Sequence, residues 1–246
     1  MRHRRLHAIF VLVAVLAWTC GDALAYRPFD STDAAVADDG EFELEFGPLG
    51  SLREGTRRSR VAPAAIANFG ISGEREIVLQ GQLQTLLDPD APGPRTSLVD
   101  TGLFMKQVLR RGVLQGEAGP SIATEYGFVL PTLHGESGTG FSMAGILSQR
   151  SDMGTLHLNS VLSLTRSHHP DLFLGAIAEG PYSWAVRPAA EVFIEQQAGG
   201  VRTISRLAGA IWRVRDGLSF DLGVRRAHSG GERVHEVRLG LTWSLS

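Results

Sequence analysis

The chain alternates over 234–245. His235, Val237, Leu239, Leu241, Trp243 and Leu245 share one face; Val234, Glu236, Arg238, Gly240, Thr242 and Ser244 share the other. A strand turns successive side chains to opposite faces, so this pattern predicts a strand that is apolar on one side and polar on the other. The run EFELEF at 41–46 alternates in the same way and sends its three glutamates to one side, where a helix would scatter them. Gly and Pro punctuate the chain between such runs. The pattern predicts strands at 41–47, 64–72, 75–87, 97–110, 118–130, 140–149, 154–166, 171–179, 183–196, 202–214, 218–227 and 233–245. One greasy and one wet face on every strand is the signature of an antiparallel up-and-down barrel in lipid, with the polar face lining a lumen.

The connections carry a second pattern. With both ends at the inner rim, the outer connections are 48–63, 88–96, 131–139, 167–170, 197–201 and 228–232, and the three longest all fall on that side. The inner ones are 73–74, 111–117, 150–153, 180–182 and 215–217, mostly tight, with 111–117 the misfit. Trp184, Trp212 and Trp243, with Tyr182 nearby, fall at the inner rim, where an aromatic girdle would meet headgroups. Placing Trp212 outward also places Arg206 outward, near mid-membrane, where a cation costs about 2–4 kcal/mol.

The start of the chain reads as an export signal. Arg2, Arg4 and Arg5 precede a ten-residue apolar run at 8–17, and Ala23-Leu24-Ala25 is a cleavage site. The run is too short to span a bilayer as a helix. The expected division is a signal peptide at 1–25 and a barrel domain at 26–246. Cys20 falls in the removed part, so no disulfide is expected. No other run is long and apolar enough for a membrane helix. The whole chain carries a formal charge of −2. The leader holds three arginines and one aspartate, so the remainder stands at −4 and argues against a nucleic-acid partner.

By alternation the lumen candidates are Glu43, Glu45, Glu76, Gln80, Asp100, Lys106, Glu125, Arg187, Glu191, Asp221, Arg225, Glu236 and Arg238, with Gln82, Gln84, Arg110, His157, Asn159 and Glu195 beside them. A turn centred near Ser229 and Gly230 sets Asp221 opposite Arg238, with Arg225 diagonal to Glu236. These mixed charges either fill the barrel and hold its register or form a polar path for a solute. His134 and Ser137, in a Gly-rich outer loop, are a candidate hydrolase pair without an evident third group. His168-His169 is a weak metal candidate. No phosphate loop, zinc spacing or dinucleotide fingerprint occurs, so no catalytic residue, metal or cofactor is expected.

Several stretches resemble one family: YRPFDSTD at 26–33, EFELEFG at 41–47, GFVLP at 127–131, RPAAEVF at 187–193, GAIWRVRDGLSFDLGVR at 209–225 and GLTW at 240–243. They resemble the MetA-pathway of phenol degradation family of outer-membrane barrels, often labelled transporters. The resemblance covers most of the chain after the leader and specifies a barrel and its turns, not a chemistry. It implies a Gram-negative outer-membrane location and porin-like, passive passage of a small solute, hydrophobic or aromatic ones included. The implied partners are the lipid bilayer, the barrel-assembly machinery and that solute, and Lys106, Glu125, Glu191, Asp221 and Arg225 are the residues to test first. Such chains commonly end on an aromatic that the machinery reads; here Leu245 and Ser246 follow Trp243. The alternatives are an outer-membrane lipid hydrolase, a non-conducting structural surface barrel, and a soluble periplasmic β-protein.

Overall fold

The structure, a computed structural model, describes residues 28–88 and 94–245. The signal peptide read at 1–25, with Cys20, lies outside them. Twelve strands form one closed antiparallel barrel. They are β1 (Phe42–Glu54), β2 (Arg57–Ser72), β3 (Arg75–Leu86), β4 (Thr96–Arg110), β5 (Ser121–Val129), β6 (Gly140–Ser151), β7 (Gly154–Leu164), β8 (Pro170–Glu179), β9 (Val186–Gln197), β10 (Arg202–Arg215), β11 (Leu218–Ser229) and β12 (Glu232–Leu245). Each strand pairs with its chain neighbours, and β1 closes on β12, Phe42 meeting Leu245. Closure leaves no strand edge bare, as a barrel in hydrocarbon requires.

One expected loop is absent. The stretch 48–63 is not a loop: β1 runs on to Glu54, β2 starts at Arg57, and the chain turns at Gly55 and Thr56. Pro48 and Pro63 carry the loop signal, because proline cannot donate to a ladder. Both fall where the register of their strands shifts, between Phe46 and Leu49 and between Val61 and Ala64. A bulge absorbs each proline and the strand resumes beyond it.

The last hairpin is also corrected. It turns at Gly230 and Gly231, so Arg225 faces Glu236 directly and Asp221 faces Gly240 rather than Arg238. The bare Cα of Gly240 makes room for that carboxylate, since a Cβ there would strike it.

The exterior is apolar. On β10, β11 and β12, cross-strand rows such as Ala210–Leu222–Leu239 and Trp212–Phe220–Leu241 face outward. Leu222 and Leu239 are each about half exposed. A continuous belt of this kind calls for hydrocarbon, not water, around it. Trp184 and Trp212 are exposed near the rim that carries the chain ends, and Trp243 is partly covered there. At that rim the connection 111–120, the misfit of the loop pattern, holds a short 3₁₀ turn, Val113–Gln115.

Leu222 stands near mid-belt. Leu222→Arg should lower stability by about 2–4 kcal/mol, and Ser51→Arg, close to the upper edge, by about 0–1 kcal/mol. Reversible urea unfolding from lipid vesicles measures both; equal costs would contradict the placement of the belt.

Candidate functional site

The interior is not an empty pipe. Residues 28–38 cross the lumen in the half nearer the chain ends, then turn at Gly40 into β1. The turn is pinned by two 2.9 Å bonds, Gly40 N–H to Gly70 O and Glu41 N–H to Asp38 O. Gly70 is needed there, because a Cβ on it would run into the carbonyl oxygens of Ala37 and Asp38.

A segment without regular structure inside a barrel has no sheet to join, so side chains must satisfy its buried amides and carbonyls. The inward faces of the strands do this in turn. From β3, Glu76 accepts the Ala37 N–H at 2.7 Å. From β6, Ser148 Oγ accepts the Ala34 N–H at 3.0 Å, while Gln115 Nε2 donates to the Ala34 carbonyl at 2.9 Å. From β7, Asn159 pairs with Thr32 twice, accepting its N–H at 3.0 Å and donating to its carbonyl at 2.7 Å. That amide imitates a neighbouring strand. From β9, Glu191 accepts the N–H groups of Asp30 at 3.0 Å and Ser31 at 2.7 Å. From β12, Arg238 donates to the Pro28 carbonyl at 2.7 Å.

Charge and packing complete the seat. Lys106 on β4 stands 3.2 Å from Asp33 and 3.6 Å from Glu76. Arg238 stands 3.0 Å from Asp30 and 2.9 Å from Glu236, and Arg225 stands 3.1 Å from the same glutamate. Buried ions are tolerable only when paired in this way, and removing one partner typically costs about 3–5 kcal/mol. Phe29 packs on Ile177, Ala189, Leu207 and Ile211, and Ala34 on Ala123, Ala144 and Ile146 with Leu114 beside them. The segment and the 3₁₀ turn thus give this half of the barrel a protein-like core.

Nearer the rim, Arg187 holds Glu179 at 3.0 Å. Tyr182 does not stand with the tryptophans. Its ring lies under the guanidinium groups of Arg150, Arg213 and Arg187, at 4.0, 5.0 and 5.4 Å from the ring centre. Arg187 is an inward residue, so Tyr182 belongs to the mouth and not to a lipid girdle; stacked cations are the better partner for its ring.

Beyond the segment lies a cavity of about 760 Å³. Glu43, Glu45, Gln80, Asp100 and Glu125 line it on β1, β3, β4 and β5; Phe173 and Phe193 stand on the opposite wall. It reaches Glu54, Gln84 and Asp171, near the far ends of their strands. Its cations Lys106, Arg166, Arg225 and Arg238 are all in ion pairs. Among the described residues Glu43, Glu54 and Glu125 have no cation at ion-pair distance, so the wall is electronegative. The structure therefore divides the lumen candidates. Glu76, Lys106, Glu191, Arg225 and Arg238 hold the segment, Arg225 through Asp30 at 3.4 Å, with Glu236 behind the two arginines, and the others above line the cavity. Arg187 serves the mouth, and Asp221 is buried in the wall opposite Gly240. Arg110 lies exposed at the rim, donating to the Pro120 carbonyl at 2.5 Å.

His134 is not oriented on a serine; its Nδ1 lies 3.4 Å from the Thr96 carbonyl. A tighter grouping was not read from the sequence: Ser148 Oγ stands 2.7 Å from His157 Nδ1, and His157 Nε2 stands 3.6 Å from Glu179. Ser148 is fully buried and already accepts the Ala34 N–H. The relay therefore latches the segment and has no access to a substrate. Among the described residues no cluster of metal-ligating side chains occurs.

Strand alternation does not reveal the segment. Its only signals are a stretch without strand alternation before the first strand, and inward polar groups more numerous than an open lumen needs.

No protein-family model and no curated protein matches the chain. Solved structures do. An outer-membrane channel from Pseudomonas putida F1 superposes with a TM-score of 0.60 at 10% identity, covering 88% of this chain and 99% of that one. The KdgM porin superposes with a TM-score of 0.54 at 8% identity, covering 83% and 99%. The likeness is one of fold: this chain is built as an outer-membrane β-barrel.

Glu191→Ala leaves two backbone donors without their acceptor. Hydrogen exchange at Asp30 and Ser31 in detergent-folded protein should quicken by about tenfold to a hundredfold, with Glu191→Gln between it and wild type. Unchanged exchange would show that the segment is held elsewhere.

Proposed function

We propose that this chain is a passive channel of the outer membrane, exported by the leader at 1–25 and inserted by the barrel-assembly machinery, for a small solute. The carrying observation is the polar cavity that runs from the far ends of the strands down to the segment 28–38. The carboxylate wall favours cationic and neutral solutes over anionic ones, because its field concentrates positive charge. The Phe173–Phe193 pair, with ring centres 4.9 Å apart, offers an aromatic solute an apolar contact, in keeping with the resemblance to the MetA-pathway of phenol degradation family. The segment lies across the path, so passage requires its displacement or runs past its side.

A second reading is a non-conducting structural barrel. The density of bonds around the segment favours it.

Planar-bilayer recording separates the two. The channel reading expects a small wild-type conductance with cation preference under a KCl gradient. Removal of 28–38 should raise the conductance several-fold, and Glu43→Gln with Glu125→Gln should weaken the preference. Anion preference would overturn the solute assignment. Folded protein that stays silent with and without the segment would establish the structural reading.

A further inference from the structure

Most of the outward face is apolar; toward the rim away from the chain ends it turns basic, and one row there is made of cationic side chains on five consecutive strands. Arg206 on β10 pairs with Arg226 on β11, Arg226 with His235 on β12, His235 with Arg53 on β1, and Arg53 with Arg58 on β2. All five are exposed and lie on the outward faces of consecutive strands. Neighbouring strands stand about 4.8 Å apart, so the row spans about 19 Å. Like charges directly across a sheet repel, and a row of four guanidinium groups and an imidazole is costly without a counter-charge. The protein supplies little. Arg58 has Asp88 at 3.6 Å. Arg53 donates to the Gly55 carbonyl at 3.2 Å. Arg206, Arg226 and His235 have no ion pair among the described residues.

The height of the row identifies what surrounds it. A strand rising about 3.3 Å per residue and tilted about 40° climbs about 2.5 Å per residue. Arg226 stands nine residues beyond Gly217 and Arg206 ten residues before Asp216, about 22 and 25 Å above that turn. The apolar band of such barrels is about 25 Å tall. The two arginines therefore stand at its upper edge, not at mid-membrane as strand alternation alone had placed Arg206. Just beneath them on β10, β11 and β12 stand Ala208, Val224 and Val237, suited to acyl chains; on β1 and β2 the same row continues as Ser51 and Arg60. Toward β1 and β2 the row follows strands that reach further from the turns.

We infer that this row is a binding site for the phosphorylated headgroup of an outer-leaflet glycolipid of the lipid A type. The chemistry fits in each part. Guanidinium groups bind phosphate through paired, charge-assisted hydrogen bonds. A headgroup with two phosphates can bridge several members of the row, and the acyl chains lie along the aliphatic residues below it on β10, β11 and β12. The row covers the outer surface of β10, β11, β12, β1 and β2, so it works independently of the lumen and of any transport. It does rest on the chain ends facing the periplasm, which sets the row in the outer leaflet.

The test uses the full protein, purified from outer membranes in detergent and stripped of lipid. Titration is followed by native mass spectrometry or intrinsic fluorescence. The probes are bisphosphorylated lipid A, dephosphorylated lipid A, phosphatidylethanolamine and inorganic pyrophosphate. Lipid A should bind at least tenfold more tightly than either lipid without extra phosphate. Arg206→Gln with Arg226→Gln should remove most of that advantage, while Arg75→Gln, an exposed arginine at the opposite rim, should leave it. Heat-resistant migration on gels confirms that each variant is folded. Should the double variant fail to fold, the wild-type salt dependence decides, because affinity for lipid A must fall as salt screens exposed charge. Equal affinity for lipid A and its dephosphorylated form, an unaffected double variant, or salt-independent binding would each overturn the site. Pyrophosphate bound as tightly as lipid A would assign the row to soluble phosphates and overturn the lipid. None of these results depends on whether the barrel conducts.

Discussion

Every buried amide must find a partner, and that requirement shapes this molecule twice. In the wall it is met by closure. Each strand donates to its neighbours, and the pairing of β1 with β12 removes the two edges that hydrocarbon would punish. In the lumen it is met by side chains. The segment 28–38 is enclosed yet belongs to no ladder, so Glu76, Ser148, Asn159, Glu191 and Arg238 take the place of a partner strand. The charge on the inner face follows from this. Carboxylates accept backbone N–H groups strongly, and once buried they need Lys106 or Arg238 nearby.

The same strands carry three environments at different heights. Near the chain ends the inner face is a packed core, with Ile177, Leu207 and Ile211 closing on Phe29. Farther up it opens into a cavity walled by carboxylates on one side and phenylalanines on the other. Outside, the leucine and valine rows give way to arginine and histidine near the upper edge of the apolar band. A period of two lets one chain specify the inner and outer faces independently, because neighbouring residues never compete for a side. A barrel can therefore change what it holds without changing what it floats in.

The strand pattern was readable almost throughout, since a strand between lipid and a polar interior alternates over its whole length. It failed at Pro48 and Pro63, where local turn chemistry points to a loop and two bulges keep the pair together. It placed the last hairpin's turn about one residue too early, at Ser229–Gly230 instead of Gly230–Gly231. A run of Ser, Gly and Gly offers more than one place to turn, and the choice shifts every cross-strand partner, as Asp221 and Gly240 show. Residue type and a place at the inner rim beside Trp184 point Tyr182 to lipid. Its neighbours Arg150 and Arg213 come from other strands, and no spacing in the chain brings them to mind.

By itself the sequence determined a twelve-stranded barrel, which residues look inward, and that its surroundings are apolar; these follow from alternation, a property of each strand alone. The tertiary structure decided what the inward residues are for. Whether Glu191 faces water or caps the amides of Asp30 and Ser31 depends on a segment 160 positions away in the chain. Whether Arg206 is stranded in lipid or stands in a row with Arg226 and His235 depends on register across three strands. Contacts between distant parts of a chain leave no period behind, and only the closed fold brings them together.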